Sequence, residues 1–335
     1  MRKVTSQMVA KLAGVAQSTV SKVINNDSGI AAETREAVIR AAQRLNYRMT
    51  PRGGQYTIAV ILPPPDADGG YEGYVARLLS TLCYVLYQRR FRIEIVLEDD
   101  LDILCERCVA GGISISWKRE LALRWADRFS MPLIRIHAPP SSGDNVYSVN
   151  ADSVSAMETV ISRFWKLGHR KIAFLSPHSR DFEEKNVGRR LAGFLGALSR
   201  RGVGNPDRYC LWNITSLPRN KLMETVRGWI SEGVTALIGV NENCNGILYE
   251  IVRNLGWKVP EDISLVVWER IGVSESFQPP LTGMKIPYEA LCRTALERLE
   301  QRLGGETIPS ETRIPIVPVE RKSVGRARLD HSPRG

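Results

Sequence analysis

The sequence predicts an α/β chain in two parts, a small all-α headpiece followed by a body of two lobes built on parallel sheets. Three observations carry this. In the first 48 residues, apolar positions recur at three- and four-residue spacing in short runs, the signature of helices. From Thr57 onward, short apolar strands rich in branched residues alternate with amphipathic stretches, the signature of parallel sheets covered by helices on both faces. The full 335 residues are too many for one small core, and about 265 residues of such alternation are too many for one sheet. Two lobes follow, with a ligand cleft expected at the strand carboxyl ends.

The headpiece opens with Val4, Met8, Val9, Leu12, Val15, Val20, Val23 and Ile24 at helical spacing. Gly14 interrupts the pattern, so a second helix is expected to restart near Gln17 at a steep angle to the first. Two helices joined by a tight glycine-containing turn form a helix-turn-helix, whose second helix fits the major groove of DNA. Its outward face would carry Gln17, Ser18, Ser21 and Lys22, while Val20, Val23 and Ile24 face inward. Small polar side chains reach base edges where a bulky apolar face does not. The expected DNA-contacting set is Thr5, Ser6, Gln17, Ser18, Thr19, Ser21, Lys22, Asn25 and Arg52. After a turn-rich loop, Asn25 to Gly29, a third helix within residues 31–47 sets Ala37, Val38, Ala41, Ala42 and Leu45 on one face and Arg35, Arg40 and Arg44 on the other.

In the body, TIAVILP, RIEIVL, GISIS, PLIRI, KIAFLS, ALIGV and ISLVVW read as strands. The helical patterns between them include Tyr74 to Arg90, Ser153 to Leu167, Gly188 to Arg201, Lys221 to Ser231 and Asn245 to Leu255. The expected boundaries are a headpiece at 1–48, a linker at 49–56, a two-lobed effector-binding and dimerisation domain at 57–322, and a basic disordered tail at 323–335.

The net charge of +10 lies at the two ends. Residues 1–56 hold nine Lys and Arg against three acids, and the last fifteen hold five against one, which leaves 32 basic and 32 acidic residues between. A cationic amino-terminal unit on a neutral body fits phosphate contact by one module. Six cysteines are scattered, and Cys105 with Cys108 forms the one C-x-x-C, read as an accident of spacing because no second pair or histidine pair stands at metal distance. No metal, cofactor, signal-peptide pattern or apolar run of about 18 residues is expected, so a cytoplasmic protein without a membrane partner follows. No G-x-G-x-x-G follows a strand, no phosphate-binding G-x-x-x-x-G-K-[ST] occurs, and no serine elbow or His/Cys cluster stands at catalytic spacing. An enzyme is therefore not expected.

VAKLAGVAQSTVSKVIN, followed by ETREAVIRAAQRLNYR, resembles the DNA-binding domain of the lactose-repressor family of bacterial transcription regulators. WKLGHRKIAFLSP, RRLAGFLGAL, LGWKVPEDISLVVWE and PPLTGMKI extend the resemblance over almost the whole chain. It implies two lobes like those of periplasmic sugar-binding proteins with three chain crossings, the helix Tyr288 to Leu303 returning to the first lobe and a last strand near Arg313 to Val319 to the second. It also implies a homodimer on a pseudopalindromic operator, controlled by a small molecule, sugar-like in class, bound between the lobes.

The chain departs from the family at its helix starts and in its linker. Met8, Ala16 and Ala31 stand where relatives carry helix-starting Asp or Ser, a loss of about 1 kcal/mol per cap. Only MTPRGGQY precedes the first strand, and Pro51, Gly53 and Gly54 oppose the hinge helix of relatives. Arg52 would then enter a narrow minor groove. Loss of the hinge leaves open a second reading, a non-specific or architectural DNA-binding protein.

By the same resemblance, Arg190 anchors the effector, Glu269 stands where relatives mostly carry Asp, Asn241 and Glu242 stand for the family's Asn-Asp pair with Glu in place of Asp, and Asp152 contacts effector or supports the residues that do. Trp212 and Trp268 offer an aromatic wall for a sugar ring. Each has a structural alternative: Arg190 as an ion pair, Asp152 as a helix cap, Trp268 as core. His169 is expected to be structural.

Overall fold

The computed structural model describes all residues except 1–3, 26, 28, 46, 48, 50–55, 66–69, 72, 142, 180–185, 270 and 329–335. The headpiece helices are α1 (Ser6–Ala13), α2 (Gln17–Ile24) and α3 (Ala32–Arg44). Gly14 ends α1 in the left-handed region at φ 68°, and Val15 N–H donates back to the Ala10 carbonyl at 3.0 Å. Glycine reaches that conformation at no steric cost. Val9, Ala10, Val20, Val23, Ile24, Val38, Ile39, Ala41 and Ala42 form the small core, which one residue from outside the headpiece joins: Cys108 packs into it and its thiol donates to the Val23 carbonyl at 3.2 Å. The expected linker lies almost wholly outside the described residues, as does Arg52.

The body carries β1 (Thr57–Leu62), α4 (Gly73–Gln88), β2 (Arg92–Leu97), β3 (Gly111–Ser114), α5 (Arg119–Arg128), β4 (Leu133–Ile136), β5 (Val146–Ala151), α6 (Ser153–Lys166), β6 (Ile172–Leu175), α7 (Asn186–Ser199), β7 (Cys210–Leu211), α8 (Arg219–Ser231), β8 (Ala236–Gly239), α9 (Cys244–Asn254), β9 (Ser264–Trp268), β10 (Thr282–Lys285), α10 (Tyr288–Leu303), β11 (Glu311–Ile314) and β12 (Val317–Val319). They form two six-stranded sheets ordered β11-β5-β4-β3-β1-β2 and β12-β10-β9-β8-β6-β7. In each, the chain leaves its starting strand for one side and resumes on the other: β2 and β3 flank β1, and β7 and β8 flank β6, all in parallel pairing. That reversal opens a crevice beyond the strand carboxyl ends in each sheet.

The chain divides into two compact units, one of residues 1–150 and 288–313, the other of residues 151–287 and 314–335, and so passes between them three times. The single last strand expected near Arg313 to Val319 is two strands. β11 belongs to the first sheet and β12, antiparallel to β10, to the second. Pro315 and Ile316 lie between them.

The tail expected to be disordered from 323 is ordered through 328. Ser323 is buried and its hydroxyl donates to Leu265 O at 2.7 Å, Ala327 N–H donates to Leu167 O at 2.8 Å, and Arg328 pairs with Asp262 at 3.1 Å. Charge density alone misled here, because a basic segment is soluble yet also pairs with carboxylates. His169 fastens this segment. Its Nε2–H donates to Gly325 O at 3.1 Å and its Nδ1 accepts from the Thr235 hydroxyl at 2.8 Å, with the ring 1% exposed. Burial holds its pKa below the ordinary imidazole range. The unfolded chain therefore takes up the proton first, and this stability is present above about pH 6.5 and falls as pH drops below it. Thermal melts should show the wild type losing stability from pH 7 to 5, and His169→Gln, less stable at pH 7, should lose less over that interval.

Candidate functional site

Two surfaces collect polar side chains. On the headpiece, Gln17, Ser18, Lys22 and Asn25 of the α2 segment are exposed, Thr19 and Ser21 are half-buried, and Val20, Val23 and Ile24 face the core. Gln17 Nε2 donates to Ser6 Oγ at 2.8 Å and ties the start of α2 to α1. Asn25 donates to the Ser21 carbonyl at 2.7 Å, so it closes α2 as well as flanking its outward face. Thr5 caps α1, its hydroxyl accepting from Met8 N–H at 3.4 Å, so the cap expected to be missing from the first helix is present. The second is missing as expected: Ala16 begins α2 with no side-chain hydrogen bond. A helix-sized polar face between an N-terminus without a side-chain cap and Lys22 can lie on an anionic groove, where backbone N–H groups and Lys contact phosphate and amide or hydroxyl side chains reach bases.

The second surface lies at the carboxyl ends of the β7, β6, β8 and β9 strands. Arg190, on α7, is 5% exposed. It donates to the Val240 carbonyl at the end of β8 and lays its guanidinium 4.5 Å from the centroid of Trp268, the last residue of β9. Glu269 follows, 7% exposed and paired with Arg321. Among the described residues, Trp268 Nε1 and Glu269 Oε2 find no hydrogen-bond partner. A buried donor and a buried acceptor left in this state each cost about 1–3 kcal/mol until something pairs with them. Trp212 follows β7 and packs its ring 5.5 Å from Phe174. Asn241 and Glu242 follow β8, half-buried, with Asn241 Oδ1 accepting from Asn243 N–H at 2.9 Å. Asp152 stands apart from these. It caps α6, accepting from Ser155 N–H at 3.1 Å and Ser155 Oγ at 2.7 Å, which is its structural reading.

Apart from Asp152, which follows β5, the sequence reading placed no ligand residue at the carboxyl ends of the first sheet, yet these ends are as polar. Tyr74 Oη hydrogen-bonds His137 Nδ1, and the two rings stack at 5.3 Å, with Trp117 and Tyr288 at 6.0 and 5.9 Å from Tyr74. His137 follows β4 with φ 56°, a left-handed conformation uncommon for a non-glycine residue. Glu98, 2% exposed, accepts from the Ser116 hydroxyl and from Lys118 Nζ at 2.6 Å. Arg135 is buried within β4 and donates to Lys118 O at 2.8 Å, fixing the loop that carries Trp117. The signal was available in the sequence, since Glu98, Ser116 to Lys118 and His137 each follow directly on an apolar run.

Among the described residues no cluster of three or more His, Cys, Asp and Glu side chains stands ready for a metal, and no helix is long and apolar enough to cross a membrane. Residues 7–49 match the family described as bacterial regulatory proteins, lacI family, and residues 161–324 match the periplasmic binding protein-like domain. The HTH-type transcriptional regulator CelR of Thermobifida fusca is 25% identical over 324 residues, 91% of this chain and 94% of that protein. The HTH-type transcriptional repressor PurR of Vibrio vulnificus (strain CMCP6) is 27% identical over 318 residues, 89% of this chain and 92% of that one. Two solved structures share the fold. A complex of CelR with cellobiose aligns with a TM-score of 0.66 at 24% identity, over 96% of this chain and 99% of that one. A lac repressor dimer bound to operator and the anti-inducer ONPF aligns at 0.68 and 21%, over 97% and 100%.

Because Ala16 leaves α2 without a side-chain cap, Ala16→Ser should slow amide exchange across residues 17–25 by an amount equivalent to about 1 kcal/mol. Unchanged exchange would show that these amides already have partners.

Proposed function

We propose, from the premise that this chain belongs to the lacI family of bacterial regulatory proteins, that it is a sequence-specific transcriptional regulator acting in the cytoplasm as a homodimer. Two headpieces grip the half-sites of a pseudopalindrome, since two-fold protein symmetry calls for two-fold DNA. The observation that supports this most strongly is the outward polar face of α2, held by its buried apolar side. Gln17 and Ser18 read base edges, Lys22 contacts base or phosphate, and Thr5, Ser6, Thr19, Ser21 and Asn25 contact or position the backbone around them. Arg52 enters the minor groove beside them. The CelR and PurR relatives are named as transcriptional regulators, and neither name describes an enzyme.

DNA affinity is controlled by a polyhydroxylated small molecule, a sugar or related metabolite, held at the carboxyl ends of the second sheet. Arg190 supplies a planar fork of donors for vicinal hydroxyls or a carboxylate. Trp268 and Glu269 offer the donor and acceptor that lack partners. Trp212, Asn241 and Glu242 line the rim, and Asp152 supports the site through the start of α6. That the related CelR structure holds cellobiose favours this ligand class. Linkage makes the control reciprocal: whatever ligand weakens or strengthens DNA binding is itself bound more weakly or more tightly in the presence of operator, typically by about 1–3 kcal/mol.

Selection of duplexes on the immobilised full chain should return one palindromic motif, and Gln17→Ala should change base preference within each half-site. An identical motif from the variant would remove Gln17 as a reading residue. A thermal-shift screen of sugars and nucleosides should find a stabilising ligand, and Arg190→Ala should abolish that shift while leaving affinity for the selected duplex intact. A variant that responds at the same ligand concentration would overturn the assignment of Arg190.

A further inference from the structure

Beneath the headpiece lies a cavity of about 410 Å³ that the family reading does not use. Ile39, Tyr47 and Met49 of the headpiece form one wall, and Met131, Pro132 and Leu303 of the first lobe form another. Its volume falls within the usual range of small-molecule sites, about 300–1,000 Å³. Arg107, Ser130, Asn145 and Arg302 add polar side chains to this lining. Arg107 is half-exposed and faces Glu94 at 3.5 Å, so a carboxylate already shares its charge.

Arg302 differs. One Nη donates to the Glu306 carbonyl at 2.6 Å and the other to Asn145 Oδ1 at 3.0 Å, both neutral acceptors. Its Nε is buried and without a partner, and no carboxylate lies within ion-pair distance of it among the described residues. A partly buried guanidinium with no carboxylate partner among the described residues is a place where an anion lowers the free energy by pairing the charge.

We propose that this cavity is a second ligand site and that it takes a small monocarboxylate with an apolar body. One uncompensated positive charge matches one negative charge, and a dianion would leave a surplus charge against Ile39, Met131 and Leu303. The ligand touches Tyr47 and Met49 together with the lobe only while the headpiece is docked, so occupancy favours the docked arrangement. Its apolar body and its place both differ from those of the polyhydroxylated ligand at the second sheet.

Octanoate is the probe, with octanol and inorganic phosphate as controls, on the full chain. Calorimetry should show octanoate binding, with octanol and phosphate each at least about tenfold weaker. Amide exchange should slow at residues 37–49 and 300–306 on octanoate addition. Arg302→Gln should raise the octanoate Kd by at least about tenfold. Met49→Trp, which fills the cavity from the headpiece side, should abolish binding without loss of helix content, and Arg190→Ala should leave it unchanged. Equal affinity for octanoate and octanol, an unaltered Kd in Arg302→Gln, or loss of binding in Arg190→Ala would each overturn the proposal.

Discussion

The apolar side of α2 has to stay dry while its other side stays wet, and the rest of the account depends on that division. Val20, Val23 and Ile24 are at most 6% exposed, packed with Val9 and Val38 in the headpiece core. Burying each contributes roughly 1.5–3 kcal/mol. Turning the helix about its axis would expose all three and bring Lys22 toward the core, where an unpaired charge is expensive. So the helix has one stable rotation, and in it Gln17, Ser18 and Lys22 face solvent. Gly14 fixes the angle at which α2 departs, and the Gln17–Ser6 hydrogen bond holds the two helices at that angle.

In the second unit a similar constraint places Arg190. α7 can lie close on α6 because Gly193 has no side chain: a Cβ there would meet Met157 Cβ at 2.9 Å and the Val154 carbonyl at 3.0 Å. Glu158 of α6 binds the far end of α7 through Arg201 at 2.6 Å and through Arg200. The hydrogen bond from Arg201, ahead of Arg200 and Ser162, draws the Glu158 carboxyl down to about 2. Arg190 lies about one turn from Gly193, and with the helix fixed it reaches both the Val240 carbonyl and the Trp268 ring. The arginine's geometry is thus a property of helix packing.

Much of this was legible in the sequence. The period of the apolar residues gave two helices broken at Gly14 with the second starting near Gln17, and branched runs gave β1, β2, β3, β4, β6, β8 and β9. What escaped has physical reasons. β7 has two residues, too few for any pattern, and β10, Thr-Gly-Met-Lys, has no run of branched apolar residues. β11 (Glu-Thr-Arg-Ile) and β12 (Val-Pro-Val) are short edge strands with no buried residue, so they carry little apolar signal. The order of residues 323–328 depends on partners such as His169 and Asp262, more than 60 positions away, which local charge does not reveal. Arg190 was placed by resemblance, but its stacking on Trp268 is a tertiary fact. Asp152 showed its capping role in the sequence, and the Ser155 contacts settle that part of its reading.

The most direct measurement is the affinity of the full chain for its selected duplex against a shuffled duplex of equal composition, by fluorescence anisotropy across a range of salt. If α2 reads bases, both affinities fall with salt while the selected duplex stays ahead by about a thousandfold or more. Equal affinities that fall together would mean that only charge is being sensed, and would contradict the account.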